Sequence, residues 1–237
     1  MRLIGVVIGR NEASRYLQAS LAWNASFFDE FVYIDDRSTD GSAKIALSHV
    51  DRVILLGDKA PEFDEHEGRF RAHCYEALIE AVEPTEDDWI LSLDADEFLV
   101  GDPRTLIDVA VDVGKDSVRL PVPEVWSLDE PTQTRSDGFW PKNENPRLWR
   151  FLNDWEFRDT KLGCGSCPTY ALQDMFQMVK LALILHYGYA VQEDREFRAE
   201  RYKDDRTHNR KHIASILATP ELQQWYGDQP TVWRGVQ

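Results

Sequence analysis

The sequence predicts an α/β fold: an open, mainly parallel central sheet flanked by helices. Two observations carry this expectation. Apolar, β-branched runs alternate with segments of helical spacing through the first hundred residues. Three of those runs also end in acids or hydrogen-bonding side chains. Alternation of this kind gives parallel strands joined by right-handed crossovers, and ligands of such sheets sit beyond the carboxyl ends of the strands.

"RLIGVVIG" (2–9) is a continuous apolar run and reads as a strand buried on both faces. Tyr16, Leu17, Ala19, Leu21 and Trp23 then recur at helical spacing. "EFVYIDD" is a second buried strand that ends in carboxylates. "STDGSAKIALSHV" opens with capping residues and continues as a helix. "RVILLG" is a third strand, and "GRFRAHCYEALIEAV" is a helix with Phe70, Cys74, Leu78 and Val82 on one stripe. "WILSLDADEFLV" is a fourth strand. Beyond it, "SVRLPVPEVWSL" reads as a strand broken by prolines, and "PKNENPRLWRFLNDWEFRD" as a Trp-rich hairpin. "MVKLALILHYGYA" is an apolar run that reaches His186. A helix is expected from Arg195 to His212, where seven Lys or Arg meet four acids in an otherwise acidic chain.

The 237 residues suit one domain with at most an appendage. The net charge of -15 argues against a broad nucleic-acid interface. No run is long enough to span a membrane, and the N-terminal apolar run is too short for a secretion signal, so a soluble, cytoplasmic protein is expected. The cysteines are Cys74, Cys164 and Cys167, an odd number that argues against a disulfide framework. Cys164 and Cys167 form a C-x-x-C flanked by Gly and Pro, which reads as a tight turn before it reads as a redox pair or half a zinc site.

The sharpest question is why "DDWILSLDADEFLV" ends a strand in packed negative charge. Asp94, Asp96 and Glu97 repel one another unless a cation sits among them. Close carboxylate oxygens suit a hard divalent ion such as Mg2+ or Mn2+, and such an ion commonly bridges phosphates and neutralises a leaving group. A lone D-x-D is weak evidence in an acidic chain. Its position beside the strand end "DDRSTDG" gives it weight.

"VIGRNEASRYL", "YIDDRSTDGS" and "WILSLDADEFL" together resemble the family 2 glycosyltransferases of the GT-A fold, over about residues 3–100. The likeness is looser beyond that, where "PRLWR" and "ILHYGYA" are similar to elements of compact members. The resemblance implies a nucleotide-diphosphate sugar donor, a divalent metal and single displacement with inversion. It implies a GT-A domain over residues 1–192, with a nucleotide-sugar half (1–100) and an acceptor half (101–192), then a C-terminal helical extension (193–237) packed on it. Asp35 and Asp36 match the acids that hold base and ribose. Arg10 and Glu12 match the loop that lines the nucleotide pocket. Arg71, with Arg69 as a second candidate, sits where an arginine often meets base or phosphate. Asp94 matches the residue near ribose and metal, and Asp96 the direct metal ligand.

His186 reads as either a packed strand-end residue or, by the same resemblance, a late metal ligand. Arg198, Arg201 and Lys203 read either as a lid over the diphosphate or as one face of a solvated helix. An inverting transfer needs a carboxylate base, yet the family's downstream acid pair is missing here. Asp159 is the expectation, with Glu97 either supporting the metal ligands from behind or facing the acceptor, and Glu156, Asp137 and Glu124 as alternatives. The acceptor stays open among a glycan, a protein and a small molecule. Trp126, Trp140, Trp149 and Trp155 are either core or sugar-stacking surfaces. Competing functions are an inactive sugar-nucleotide- or glycan-binding protein, or a sugar-nucleotide pyrophosphorylase. "GRNEASRYL" lacks the Gly-rich loop expected of the pyrophosphorylase.

Overall fold

A computed structural model describes residues 1–129, 133–138, 140, 144–161, 163–173, 175–177, 181–201, 210–224 and 230. It is a mixed α/β fold around a seven-stranded, mainly parallel sheet. In chain order the first half runs β1 (Leu3–Gly9), α1 (Leu17–Asn24), β2 (Glu30–Asp35), α2 (Ser42–Ala46), β3 (Arg52–Leu55), α3 (Glu67–Val82) and β4 (Trp89–Asp94). The second half runs β5 (Glu97–Gly101), α4 (Pro103–Asp112), β6 (Ser117–Pro121), β7 (Gln133–Arg135), β8 (Glu144–Arg150), β9 (Met175–Gln177), β10 (Ala182–His186), α5 (Gln192–Arg201), α6 (Arg210–Leu217) and β11 (Leu222–Gln224).

The sheet order is β3-β2-β1-β4-β8-β6-β9. β1 pairs in parallel with both β2 and β4, and its side chains enter the core on both faces of the sheet, Leu3 and Val7 on one and Ile4 and Val6 on the other, which explains its unbroken apolar run. Register sets Gly9 against Asp35 and Ile8 against Asp94, so the acids of β2 and β4 flank the end of β1 at one level. One face of the sheet packs on Leu17, Leu21, Leu106 and Ile107. The other packs on Phe70, Cys74, Leu78 and Val82, the stripe read on α3.

Four expectations need correction. The fourth strand is two: Ala95 and Asp96 turn the chain, and β5 leaves the main sheet to pair antiparallel with β10. The turn is closed by Glu97 Oε2, which accepts the Asp94 backbone N–H at 2.8 Å. The Trp-rich hairpin is one long strand, β8, inserted antiparallel between β4 and β6, and no strand follows over residues 151–161. α2 is a five-residue helix beginning only after Gly41, whose φ is +95°. The basic stretch holds the end of α5 and the start of α6, while residues 202–209, Lys203 among them, lie outside the described residues.

α4 had no counterpart in the sequence reading. Its Asp102 cap accepts from the Arg104 and Thr105 N–H groups, and Pro103 starts the helix. Among the described residues, no helix is long and apolar enough to cross a membrane.

Candidate functional site

The loops after β1 and β2 are stitched together. Asn11, in a left-handed conformation, donates its N–H to Ser38 Oγ at 2.9 Å, and its side-chain oxygen accepts the Thr39 N–H at 2.8 Å. Asp40 accepts the Ala13 and Ser42 N–H groups, and Ser42 Oγ accepts the Glu12 N–H. These bonds fix Arg10, Glu12, Asp35 and Asp36 as one rigid rim. Asp35 is buried; one oxygen accepts the Ser38 N–H at 2.9 Å, and the other has no hydrogen-bond partner among the described residues. Asp36 accepts from Arg37 Nε at 2.7 Å and lies 3.7 Å from Arg10, and both arginines also reach Glu62.

Asp94 and Asp96 point into different surroundings. The Asp94 side chain is 46% exposed, and its Oδ2 accepts from Arg147 Nη2 at 3.1 Å. Arg147 comes from β8, is buried, and also reaches Glu97 Oε1 at 2.5 Å and Ser166 Oγ at 2.8 Å. Arg71, on the first turns of α3, is held by Glu67 at 2.8 Å. Burial pushes the Asp94 carboxyl up, but Arg147 and Arg71 outweigh it and hold it below the usual range.

Asp96 is only 6% exposed and is ringed by cations. Its Oδ1 lies 3.4 Å from His186 Nε2; its Oδ2 lies 2.9 Å from Arg198 Nη2 and 3.4 Å from Arg15 Nη2. Burial acts against its ionisation, yet His186, Arg198 and Arg15 hold it well below the ordinary range. His186 arrives through the β5–β10 ladder, which sets it directly across from Glu97. Its Nδ1 meets buried Glu124 at 2.5 Å. Burial lowers the imidazole's basicity, but Glu124 and Asp96 outweigh it and raise its pKa well above the ordinary value. The Glu124–His186–Asp96 chain therefore has the form of a ligand histidine oriented by a carboxylate behind it.

Glu97 is 1% exposed, with both oxygens engaged. Burial lifts its pKa to about 7, against the pull of Arg147 and with the push of Asp94. Glu12 is lifted to about 7 by burial too, with Arg15 opposing and Asp96 adding. Asp159 stands apart from the D-x-D. It is 73% exposed and lies 3.0 Å from His66 Nε2 and 3.5 Å from Arg69 Nε at the start of α3. Arg201 ends α5, and its side chain lies outside the described atoms.

The structure thus brings together Asp94, Asp96, Glu97, His186 and Arg198, with Glu12 joined through Arg15. Arg10 joins Asp36 on the neighbouring rim. Sequence reasoning missed Arg15 and Arg147, and it weighed Glu124 only as an alternative base, not as the partner of His186. Two of these carried a signal: an acid inside the apolar "PVPEVW", and an arginine inside the buried strand "PRLWR".

Trp126, Trp140 and Trp149 are buried. Trp126 and Trp140 lie 4.4 and 4.9 Å from the Arg135 guanidinium, which removes them from the sugar-stacking role. Trp155 packs edge-on against Tyr75. Cys164 and Cys167 are buried free thiols pushed up to about 12 by burial.

Asp96 and His186 offer an oxygen and a nitrogen of the kind Mn2+ or Mg2+ accepts, with a second carboxylate oriented behind the imidazole; the donor set fits such an ion. Among the described residues, no group of three or more His, Cys, Asp or Glu side chains is gathered to hold a metal alone. The remaining ligands would therefore be substrate and water.

No known family's sequence model matches the chain, and no curated protein matches it. Among solved structures it is similar to glucosyl-3-phosphoglycerate synthase from Mycobacterium tuberculosis in complex with Mg2+ and uridine diphosphate, at 16% identity and a TM-score of 0.34. It is similar to the same enzyme with Mn2+, uridine-diphosphate-glucose and phosphoglyceric acid, again at 16% identity and a TM-score of 0.34. In both, the match covers 52% of this chain and 43% of that one. A further match, described only as a mycobacterial protein, has 15% identity, a TM-score of 0.35, and covers 52% of this chain and 41% of that one. Likeness on this scale carries no argument about activity, which must come from the chain's own residues.

Proposed function

We propose that the chain is a metal-dependent glycosyltransferase. It would move one sugar from a nucleotide-diphosphate sugar, UDP-linked in the first instance, to an acceptor hydroxyl with inversion. One observation carries this proposal. The ends of β1, β2 and β4 lie side by side, and the β5–β10 ladder delivers His186, backed by Glu124, to Asp96 at the end of that row.

On this reading the Asp35–Asp36 rim takes the nucleoside, and the unpartnered Asp35 oxygen is an acceptor for a ribose hydroxyl. Arg10 and Arg71 flank the base and phosphate positions. Asp96 and His186 would hold the divalent ion, with Asp94 as a further candidate ligand. When bound, that ion neutralises charge building on the departing diphosphate. Arg198, on α5, would add positive charge over the same group, and Arg201, at the end of that helix, is proposed with it. The acceptor oxygen attacks the anomeric carbon as the bond to diphosphate breaks, and a carboxylate takes its proton. Asp159 is the proposed base because its exposed carboxylate stands beside the start of α3, the helix that carries Arg71. Glu97, engaged on both oxygens, is better placed to hold the D-x-D turn.

The inactive-binder alternative is favoured by one fact: cations occupy both oxygens of Asp96. A thermal-shift screen of UDP-, GDP-, TDP- and CMP-sugars with and without Mn2+ tests the proposal. Stabilisation by one nucleotide class only with metal is expected. No shift under any condition would overturn it, and binding without sugar release would favour the inactive binder.

A further inference from the structure

We propose that Glu67 is a positioning residue. One of its carboxylate oxygens aims Arg71 at the row of strand ends, and the other ties down the loop that carries Cys164. This deepens, and rests on, the nucleotide-sugar site proposed above.

Glu67 opens α3 and is 6% exposed. Its Oε1 accepts from Arg71 Nε at 2.8 Å, one helical turn on. A carboxylate on Nε fixes the plane of the guanidinium and leaves its two terminal nitrogens for other partners. Arg71 lines a cavity with Ile8 and Ile34, the next-to-last residues of β1 and β2. It is also one of the two cations that hold down the Asp94 carboxyl at the end of β4. The guanidinium lies 5.7 Å over the Phe63 ring, and the Cys164 side chain meets both Glu67 and Arg71.

The second oxygen of Glu67 faces the loop. It accepts the Gly163 N–H at 2.5 Å and the Cys164 N–H at 3.3 Å. Gly163 is in the left-handed region, with φ at +75°, a conformation that turns successive N–H groups toward one anion. The backbone joins the same two parts. The Glu67 N–H donates to the Lys161 carbonyl at 2.8 Å and the Gly68 N–H to the Thr160 carbonyl at 3.1 Å. An added Cβ at Gly68 would lie 2.0 Å from the Arg158 carbonyl oxygen, so glycine permits the approach. These backbone bonds already dock residues 160 and 161 on α3. What the carboxylate adds is a link from the loop to Arg71. Ser166, further along, accepts from Arg147, the other cation on Asp94. Glu67 and Arg147 thus each hold the loop and, with it, a charged group of the proposed site.

The test is a double-mutant cycle on the full chain, read by calorimetric titration of UDP with Mn2+ saturating. Wild type is compared with Glu67→Gln, with Arg71→Met and with the double variant. Glutamine keeps one oxygen but cannot serve both Arg71 and the loop; methionine keeps an apolar stem against Phe63. Each single variant should weaken UDP binding about tenfold, the scale of one charge-assisted hydrogen bond. The double variant should bind no more weakly than Arg71→Met, because Glu67 acts through Arg71. A purely structural Glu67 would lower the thermal midpoint and leave UDP affinity unchanged, or its loss would multiply with that of Arg71. If Glu67→Gln does not fold, Glu67→Asp takes its place with the same expectation, since it keeps the charge but is too short for both partners. Unchanged affinity in either single variant, or losses that multiply, with wild type still binding UDP in Mn2+, would overturn the positioning role and leave the nucleotide site standing. Failure of wild type to bind UDP in Mn2+ would overturn both.

Discussion

Asp94 and Asp96 are two residues apart, yet they belong to different regions of the molecule. Asp94 ends β4, is half open to solvent, and is held by a buried arginine that it shares with Glu97. Asp96 is nearly sealed, and its three cationic partners come from the turn before α1, the end of β10 and α5. The first region is a core ion-pair network that fixes the turn. The second is a nearly sealed charge cluster in which one carboxylate meets three cations. On the proposed reading, one short motif separates a structural duty from a binding duty, because the chain turns between its two carboxylates.

The largest effect should come from breaking the second region. Asp96→Asn should reduce Mn2+-dependent UDP binding by a hundredfold or more, roughly the cost of losing a direct ligand and its oriented neighbour. Asp94→Asn should cost about tenfold, and paired calorimetric titrations check the contrast. Asp96→Ala is the poorer variant. Its carboxylate is the shared counter-ion of Arg15, Arg198 and His186, so removing it leaves those three cations close together without it rather than relieving repulsion.

Arg147→Met breaks the first region. It leaves Glu97 buried without its counter-ion and should cost about 3–5 kcal/mol in urea denaturation at pH 8. Arg198→Ala should cost under about 1 kcal/mol, since Asp96 keeps two other cations. Equal losses would erase the distinction.

Glu124→Gln sharpens the comparison further. It should weaken Mn2+ affinity roughly 10–100-fold by loosening His186, with the fold intact by circular dichroism.

A smaller effect is a pH dependence. Glu97 and Glu12 have folded pKa values near 7, above the ordinary carboxylate value. Between about pH 4.5 and 7 the folded state therefore binds more protons than the unfolded chain, and stability falls as pH rises through that window. In Glu97→Gln this slope should shrink, which denaturation at pH 5 and pH 7 would measure.

The smallest stability effect belongs to exposed Asp159. Asp159→Asn should stay within about 0.5 kcal/mol of wild type, and a drop in turnover of about a hundredfold or more would mark it as the base.

The sheet-centre strands and the acids at their ends were the most legible parts of the sequence. β1, β2 and β4 are sheet-centre strands, so burial on both faces writes an unbroken apolar run, and the acids at their ends stand out. β8 hid because Pro146 and its polar start mimic a turn, while the neighbours that make it a strand, β4 and β6, lie elsewhere in the chain. The partners of the acids hid for a different reason. Arg147 meets Glu97 across 50 residues, Glu124 meets His186 across 62, and Arg15 meets Asp96 across 81. No local period records such pairings. His186 was noticed because a strand ended there; the acid that orients it was not singled out for that task, because its place is set by an isolated bridge between Glu124 and His186.

The most direct test of the account is calorimetric titration of UDP into the wild-type chain with Mn2+ and with EDTA. Saturable binding in Mn2+ that disappears in EDTA, and that Asp96→Asn abolishes, is the result predicted. UDP binding of equal strength in EDTA, or no binding in either, would contradict it.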